Sequence, residues 1–85
     1  MTITGTIDSI EYRNTGGHEK KVVTLLPRKG QTAYVEFRGG FIDDLDRVKE
    51  NDEVAIDIRF EGKVSKNSGI QYNNLVANGL RKISV

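Results

Sequence analysis

Apolar and polar residues alternate through most of the chain, and this pattern predicts β-strands. In residues 2–12 the apolar positions change parity between Ile7 and Ile10, which predicts a bulge near residues 8–9. Gly5, inside the same segment, predicts a tight bend or the close approach of a neighbouring backbone. We therefore expect a long, bent first strand of the kind that pairs on both sides in a small closed barrel.

The rest of the chain contains more segments with strand-like patterns. Strands are predicted at residues 19–26, 32–38, 54–61 and 70–77, and turns at residues 13–18, 27–30, 51–52, 62–69 and 78–79. In the third strand we expect Val35 and Phe37 in the core. The residues that alternate with them, and should face outward, are Tyr34, Glu36 and Arg38.

The apolar period changes after the two glycines at residues 39–40. Phe41, Leu45 and Val48 recur at spacings of four and three, as on one face of an α-helix, with Ile42 beside them. This pattern predicts a short amphipathic helix whose apolar stripe packs on the sheet. The phenylalanines that we expect in the core are Phe37, Phe41 and Phe60.

The predicted order is three strands, a helix and two strands within 85 residues. This order, β-β-β-α-β-β, describes an all-β domain: the five-stranded Greek-key barrel called the OB-fold, with the helix plugging one end. A chain of this length has room for one domain, which we place at residues 1–85. The alternatives are an SH3-like barrel, which has no helix of this length, and an open α+β sheet.

The amino-acid composition excludes several kinds of catalytic and metal-binding site. The chain has no cysteine and one histidine, which excludes disulfides, thiolate zinc sites, a cysteine nucleophile and a multi-histidine metal site. His18 stands in a glycine-rich turn, where an exposed imidazole is expected. The acidic group Asp43, Asp44 and Asp46 lacks the glycine and distal glutamate of a calcium loop. We therefore expect no enzyme, no cofactor, no metal and no small-molecule substrate.

The hydropathy of the chain bears on where the protein is located, and its charge distribution bears on the surfaces that it presents. No apolar run approaches the roughly 20 residues of a membrane span, and the N-terminus lacks the segments of a signal peptide. We expect a cytoplasmic protein without a membrane partner. The net charge is only +1, yet residues 43–57 carry −5 and the remainder carries +6. The chain can therefore present a basic face and an acidic end.

Three motifs between Tyr34 and Ala77 carry a family resemblance. They are the strand Val35-Glu36-Phe37-Arg38-Gly39-Gly40 running into an Asp-Asp-Leu-Asp helix, the fourth strand at residues 52–59, and the basic hairpin with its tyrosine strand at residues 63–72. The first strand, with Gly5, also fits. The combination resembles the bacterial single-stranded-DNA-binding protein family, and most closely its short, tail-less relatives that consist of the barrel alone.

The resemblance and the OB-fold imply a non-enzymatic protein that binds single-stranded DNA, with RNA as a second candidate, in a groove on strands two and three. The cations expected at the groove are Arg13, Lys20, Lys21, Arg38, Arg59, Lys63 and Lys66. Tyr34 and Tyr72 are expected to stack on bases, and the Arg38 guanidinium can stack or hold a phosphate. We also expect a homo-oligomer, a dimer or tetramer, because small barrels often pair edges or faces.

The chain departs from the family at its stacking positions. The aromatic residue before the glycine of strand three corresponds to Arg38, and the aromatic residue of the loop between strands four and five corresponds to Val64. Glu36 is expected to pair with Arg38 and to repel phosphate. Binding weaker than the family norm is therefore expected. No counterpart of the family's linker and acidic tail precedes Val85, so recruitment of repair enzymes through a tail is not expected.

Two other functions stay open at this point. An OB-fold can serve as a protein-interaction or assembly module with little nucleic-acid affinity, which the near-zero net charge and the acid-rich helix end favour. The second is an RNA-binding module of the cold-shock type. Such modules cluster aromatic residues on strands two and three, where this chain offers Tyr34 alone.

Overall fold

The computed structural model describes residues 1–83 and contains five strands and a 3₁₀-helix. The strands are β1 (Thr2–Thr15), β2 (His18–Pro27), β3 (Ala33–Arg38), β4 (Glu53–Val64) and β5 (Gln71–Lys82), and the helix spans Gly39–Arg47. The order of elements predicted from the sequence is confirmed. No helix within residues 1–83 is long and apolar enough to cross a membrane.

The five strands close into a barrel in the order β1-β2-β3-β5-β4. β1 pairs antiparallel with β2 and, through residues 2–6, with β4. β3 and β5 run parallel and pair at Val35 with Leu75 and at Glu36 with Val76. This Greek-key arrangement, with a helix between β3 and β4, is the OB-fold expected from the sequence.

The bend predicted in β1 is present. The register between β1 and β2 shifts between Ile7 and Ser9, which is the bulge expected from the change of parity. The close backbone approach predicted at Gly5 is also present, since a Cβ there would lie 2.5 Å from the carbonyl oxygen of Leu26. These two features allow one strand to pair with β2 along most of its length and with β4 near its start.

The core draws side chains from every strand and from the helix. The buried apolar cluster consists of Ile7, Val23, Leu25, Ala33, Val35, Phe37, Leu45, Val54, Ile56, Ile58 and Ala77. Burial of these side chains is the main favourable contribution to folding. Val35 and Phe37 lie in the core and Tyr34 faces solvent, so the alternation predicted for β3 is confirmed.

The helix differs from the α-helical prediction. In a 3₁₀-helix, with three residues per turn, side chains spaced by three lie one above the other. Ile42, Leu45 and Val48 follow this spacing and pack on the core. Phe41 is off this stripe and 39% exposed, so its prediction as a core residue is wrong. Because side chains spaced by three share one face of this helix, Ile42 packs on the core and Phe41 is left exposed.

Phe60 is the second phenylalanine wrongly predicted as core, since 54% of it is exposed. It continues the parity of the buried Ile58, but the barrel wall ends below it. Within residues 1–83, the pairing of β1 with β4 extends no further than Asp57. β5 still pairs with β3 at Leu75 and Val76, opposite Phe60 and Arg59, and β4 and β5 then continue alone as a two-stranded hairpin from the pair Glu61 and Asn74 to the pair Val64 and Gln71. Phe60 therefore pairs with Leu75 of β5 on one side but, in the described part of the chain, has no β1 residue beside it on the other.

The turn predicted at Asn78-Gly79 is also wrong. Asp57 pairs with Gly79 and Ile58 pairs with Ala77, so Asn78 is an extra residue inside β5. Pairing with β4 then continues to Lys82. The dipeptide forms a bulge and not a chain reversal, because the residues after it find partners along β4.

Candidate functional site

The outer face of β1, β2 and β3 carries a row of three cations. Residues that pair directly across antiparallel strands place their side chains on the same face. Arg13 pairs with Lys20, and Lys20 pairs with Arg38. Val35 and Phe37 point inward from β3. Arg38, which has the opposite parity, and the whole row therefore point outward.

A second row lies beside the cations and mixes carboxylates with apolar side chains. Glu11 pairs with Val22, and Val22 pairs with Glu36. Glu36 pairs in turn with Val76, which pairs with Arg59. Both valines are buried although they lie on the outer face, and Glu36 between them is only 7% exposed. The long polar side chains around them therefore cover this part of the barrel.

An exposed aromatic ring lies on the same face. Tyr34 pairs with Thr24 across β3 and β2 and is 62% exposed. Successive residues of a strand are about 3.3 Å apart, so Tyr34 lies roughly 13 Å along β3 from Arg38. The ring and the cations are thus within reach of one short, extended ligand.

The hairpin of β4 and β5 adds further polar groups to this face. Glu61 pairs with Asn74, and Lys63 pairs with Tyr72. Arg38 donates a hydrogen bond to Glu61, so this side of the hairpin faces the row of cations. Between this hairpin and the β1–β2 hairpin lies a cleft of about 380 Å³, lined by Thr15, His18, Lys20, Glu36, Arg38 and Lys63.

Glu36 joins two of the cations of the row. Lys20 Nζ donates to Glu36 Oε1 at 2.7 Å, and Arg38 Nη2 donates to the same oxygen at 3.3 Å. Burial alone would raise the pKa of Glu36, but the hydrogen bond and charge of Lys20, together with those of Arg38, lower that pKa below its ordinary value. The ion pair with Arg38 expected from the sequence is present, and Lys20 is an additional partner.

The carboxylate of Glu61 lies close to three cations. Arg38 Nη1 donates to Oε2 at 2.8 Å, Lys63 Nζ lies 3.3 Å from Oε1, and Arg59 Nη2 lies 3.9 Å from Oε2. The hydrogen bond from Arg38, more than any other interaction, lowers the pKa of Glu61 below its ordinary value. The same bond raises the pKa of Arg38. Glu61 is therefore an anion at neutral pH.

Most of the binding residues predicted from the sequence share this face. They are Arg13, Lys20, Tyr34, Arg38, Arg59, Lys63 and Tyr72. Lys66 lies in the turn beyond β4 and is not among the residues that line the cleft. Lys21 pairs with the buried Phe37 and therefore has the opposite parity to the row.

Three groups at the site were not predicted from the sequence: Glu61, Thr15 and His18. Glu61 has the same parity in β4 as Lys63, and this alternation was a usable signal. Thr15 and His18 pair beside the β1–β2 turn and line the cleft. No sequence signal located them, because the turn at residues 16–17 consists of glycines with positive φ angles of 60° and 84°. Glycine adopts many turn geometries, so the direction of the hairpin could not be predicted.

The pairing of Glu36 predicts an acid-sensitive contribution to stability. A carboxylate with a lowered pKa stabilises the fold above its ordinary pKa of 4.5, and the contribution is lost as the pH falls through the lowered value. We expect Glu36→Gln to reduce the free energy of unfolding by about 1–2 kcal/mol at pH 7, because Lys20 and Arg38 lose a charged partner. The difference from wild type should shrink at pH 3.

Urea unfolding of both proteins between pH 7 and pH 2.5 checks this expectation. Glu50→Gln removes the same charge in an exposed turn and controls for the change in net charge. A constant difference between wild type and Glu36→Gln across the whole pH range would contradict the assigned role of Glu36.

The arrangement is suited to binding an anion. Arginine and lysine donate charge-assisted hydrogen bonds to phosphate, and exposed tyrosine rings stack on bases. Over residues 1–83, no group of three His, Asp or Glu side chains lies close enough together to hold a metal ion. The site therefore offers anion binding beside flat, exposed rings.

Comparison with known proteins supports the fold. No protein-family model matches the chain, and no curated protein matches its sequence. The chain is similar to a solved structure of a mitochondrial single-stranded DNA binding protein from S. cerevisiae, Rim1, with a TM-score of 0.55. The similarity covers 99% of this chain and 93% of that chain at 22% sequence identity. At this identity the comparison shows a shared fold.

Proposed function

We propose that this protein binds single-stranded DNA along the outer face of β1, β2 and β3, largely independently of base sequence and without enzymatic activity. One observation carries the proposal: the row Arg13, Lys20 and Arg38 lies on the same face as the exposed ring of Tyr34. A single strand presents phosphates and unstacked base faces together, and this face offers a partner to each.

The cations and the tyrosine rings of this face bind different parts of the strand. The cationic row binds backbone phosphates, which are present at every nucleotide and carry no sequence information. Tyr34 on β3 and Tyr72 on the hairpin stack on bases, and stacking tolerates any base because every base has a π-face. Lys63 and Arg59 extend the phosphate contacts from the row to the hairpin. Together these contacts favour a single strand over a duplex, whose bases are already stacked on each other.

The charges of the face limit the affinity. Its cations are Arg13, Lys20, Arg38, Arg59 and Lys63, and its carboxylates are Glu11, Glu36 and Glu61. Every one of these cations has a carboxylate within 4 Å, so phosphates must compete with existing ion pairs. The net charge of the face remains positive, which attracts a polyanion.

Other findings support the finer parts of the proposal. The structurally similar protein Rim1 is a mitochondrial single-stranded DNA binding protein. With the sequence motifs described above, this similarity supports the proposed membership of the bacterial single-stranded-DNA-binding protein family. We propose in addition that the protein acts in the cytoplasm, in DNA replication, repair or recombination. Exposed apolar side chains, among them Leu26, Phe60 and Ile70, support assembly into a homo-dimer or tetramer. Sedimentation of the purified protein tests the assembly.

Fluorescence anisotropy of a labelled dT oligonucleotide, titrated with protein at 20, 50, 100 and 200 mM salt, tests the proposed function. We expect binding that weakens with salt, with a slope of log K against log salt steeper than about −2. Each phosphate contact to a single strand contributes about −0.7, and the row alone offers three cations. An absence of binding at 20 mM salt and micromolar protein would refute the proposal.

A parallel titration with rU of the same length compares DNA with RNA. Tighter binding to dT supports the assignment to DNA, and tighter binding to rU favours the RNA-binding alternative. A labelled duplex of the same length is the control for non-specific attraction to a polyanion.

A second candidate function rests on a different surface. Phe60, Val64 and Ile70 are exposed apolar residues in and beside the β4–β5 hairpin. Exposed apolar groups of this kind mark protein interfaces, and they favour an assembly module. A stable oligomer that binds neither dT nor rU at any salt concentration would select this function.

A further inference from the structure

The carboxylate of Glu61 has the surroundings of a bound phosphate. Its two oxygens contact different cations, Arg38 at 2.8 Å through Oε2 and Lys63 at 3.3 Å through Oε1. Arg59 Nη2 lies 3.9 Å from Oε2. The three cations come from two different strands, β3 and β4, and converge on one anionic group. Arginine and lysine bind a phosphate through the same charge-assisted hydrogen bonds that they make to a carboxylate.

Glu61 differs from Glu36 in how firmly it is held. The Glu36 side chain is 9% exposed and lies between two buried valines, whereas the Glu61 side chain is 32% exposed. Glu61 also lies on the part of β4 beyond Phe60, where, within residues 1–83, β4 pairs with β5 alone and neither β1 nor β3 pairs beside them. Its side chain can therefore leave Arg38 without exposing the core, while Glu36 keeps Lys20 and Arg38 in place.

We propose that Glu61 occupies a phosphate subsite of the bound strand and acts as a built-in competitor of the nucleic acid. The inference rests on the proposed binding of single-stranded DNA. A phosphate of the strand replaces the Glu61 carboxylate between Arg38 and Lys63, and both cations keep an anionic partner throughout. The competition lowers the affinity for every polyanion, and it keeps the guanidinium and ammonium groups arranged for a phosphate before the strand arrives.

Comparison of Glu61→Gln with Glu53→Gln in the dT titration tests this proposal. Glu53 pairs with Arg28 at 2.6 Å, outside the row and the cleft, and its substitution changes the net charge by the same amount. We expect Glu61→Gln to bind dT roughly fivefold more tightly than Glu53→Gln, because phosphate then no longer competes with a carboxylate for Arg38 and Lys63 and exposed ion pairs of this kind are weak. Thermal unfolding followed by circular dichroism establishes that both variants are folded.

The double variant Arg38→Ala/Glu61→Gln, measured against Arg38→Ala alone, locates the effect. If the carboxylate competes for Arg38, the gain from Glu61→Gln should shrink to less than about twofold when Arg38 is absent. A gain of the same size in both backgrounds would indicate general charge repulsion and would overturn the subsite.

The remaining outcomes separate this proposal from the proposed function. If wild type binds dT and Glu61→Gln binds no better than Glu53→Gln, the subsite is wrong and the function stands. Weaker binding by Glu61→Gln also overturns the subsite, because Glu61 would then hold the cations in place without competing. If no variant binds dT at 20 mM salt, both proposals fail. If Glu61→Gln alone binds, the competition is supported and the native chain has another function.

Discussion

Gly5→Ala is expected to lower the free energy of unfolding by about 3 kcal/mol or more. A Cβ at this position would lie 2.5 Å from the carbonyl oxygen of Leu26 and 2.9 Å from the Cα of Pro27. Both atoms belong to the backbone of β2, so no side-chain rotation can relieve the contact. Gly5 also pairs with Val54 of β4 on its other side, and β1 therefore cannot move away from β2 without disturbing a second pairing.

Urea unfolding with Gly62→Ala as the matched control checks this prediction. Gly62 is also a strand glycine, but a Cβ there would have a single neighbour, Asn73 Oδ1, at 3.7 Å. Its substitution should change the free energy of unfolding by less than about 0.5 kcal/mol. Equal stability of the two variants would show that β1 and β2 do not approach as closely as described.

Tyr34→Ala is expected to weaken binding of dT by about 1–3 kcal/mol, or roughly 5- to 140-fold, the contribution of one stacked base. Tyr34 is 62% exposed, so its removal should leave the barrel folded. The salt slope should stay close to that of wild type, because a ring makes no ion pair with phosphate. Anisotropy titrations at two salt concentrations measure the affinity and the slope together.

Tyr12→Ala is the control for loss of an exposed tyrosine elsewhere. Tyr12 is 54% exposed, and it pairs with Lys21, which pairs with the buried Phe37. Its side chain therefore has the opposite parity to the cationic row, and dT affinity should match that of wild type. Equal losses from Tyr12→Ala and Tyr34→Ala would place the strand on another face of the barrel.

Local patterns were sufficient wherever a prediction depended on one strand and its parity. The bulge between Ile7 and Ser9, the backbone contact at Gly5 and the outward direction of Tyr34 all follow from alternation within a few residues. Steric limits and the two-residue period of a strand act locally, so the sequence contains this information directly.

Predictions failed where a local pattern depended on its surroundings. Phe60 has core parity but lies beyond the last pairing of β1 with β4. Phe41 matched an α-helical stripe, and the 3₁₀-helix packs Ile42 in the core region in its place. Asn78-Gly79 is a common turn signal, yet β4 extends past it and holds it as a bulge. For Phe60 and for Asn78-Gly79 the limit of the barrel or a neighbouring strand decided the outcome, and for Phe41 the type of helix decided it.

The features of the candidate site are likewise of two kinds: some follow from local sequence, and others depend on the tertiary structure. The sequence by itself determined the order of the elements, the face of β3 that points outward and the kinds of residue on it, because these follow from local periodicity and side-chain chemistry. Only the tertiary structure decided that Arg13, Lys20 and Arg38 form one row and that Glu61 meets Arg38 from a strand 23 residues away. Strand register and the course of the hairpins set these contacts, and both result from packing of the whole barrel.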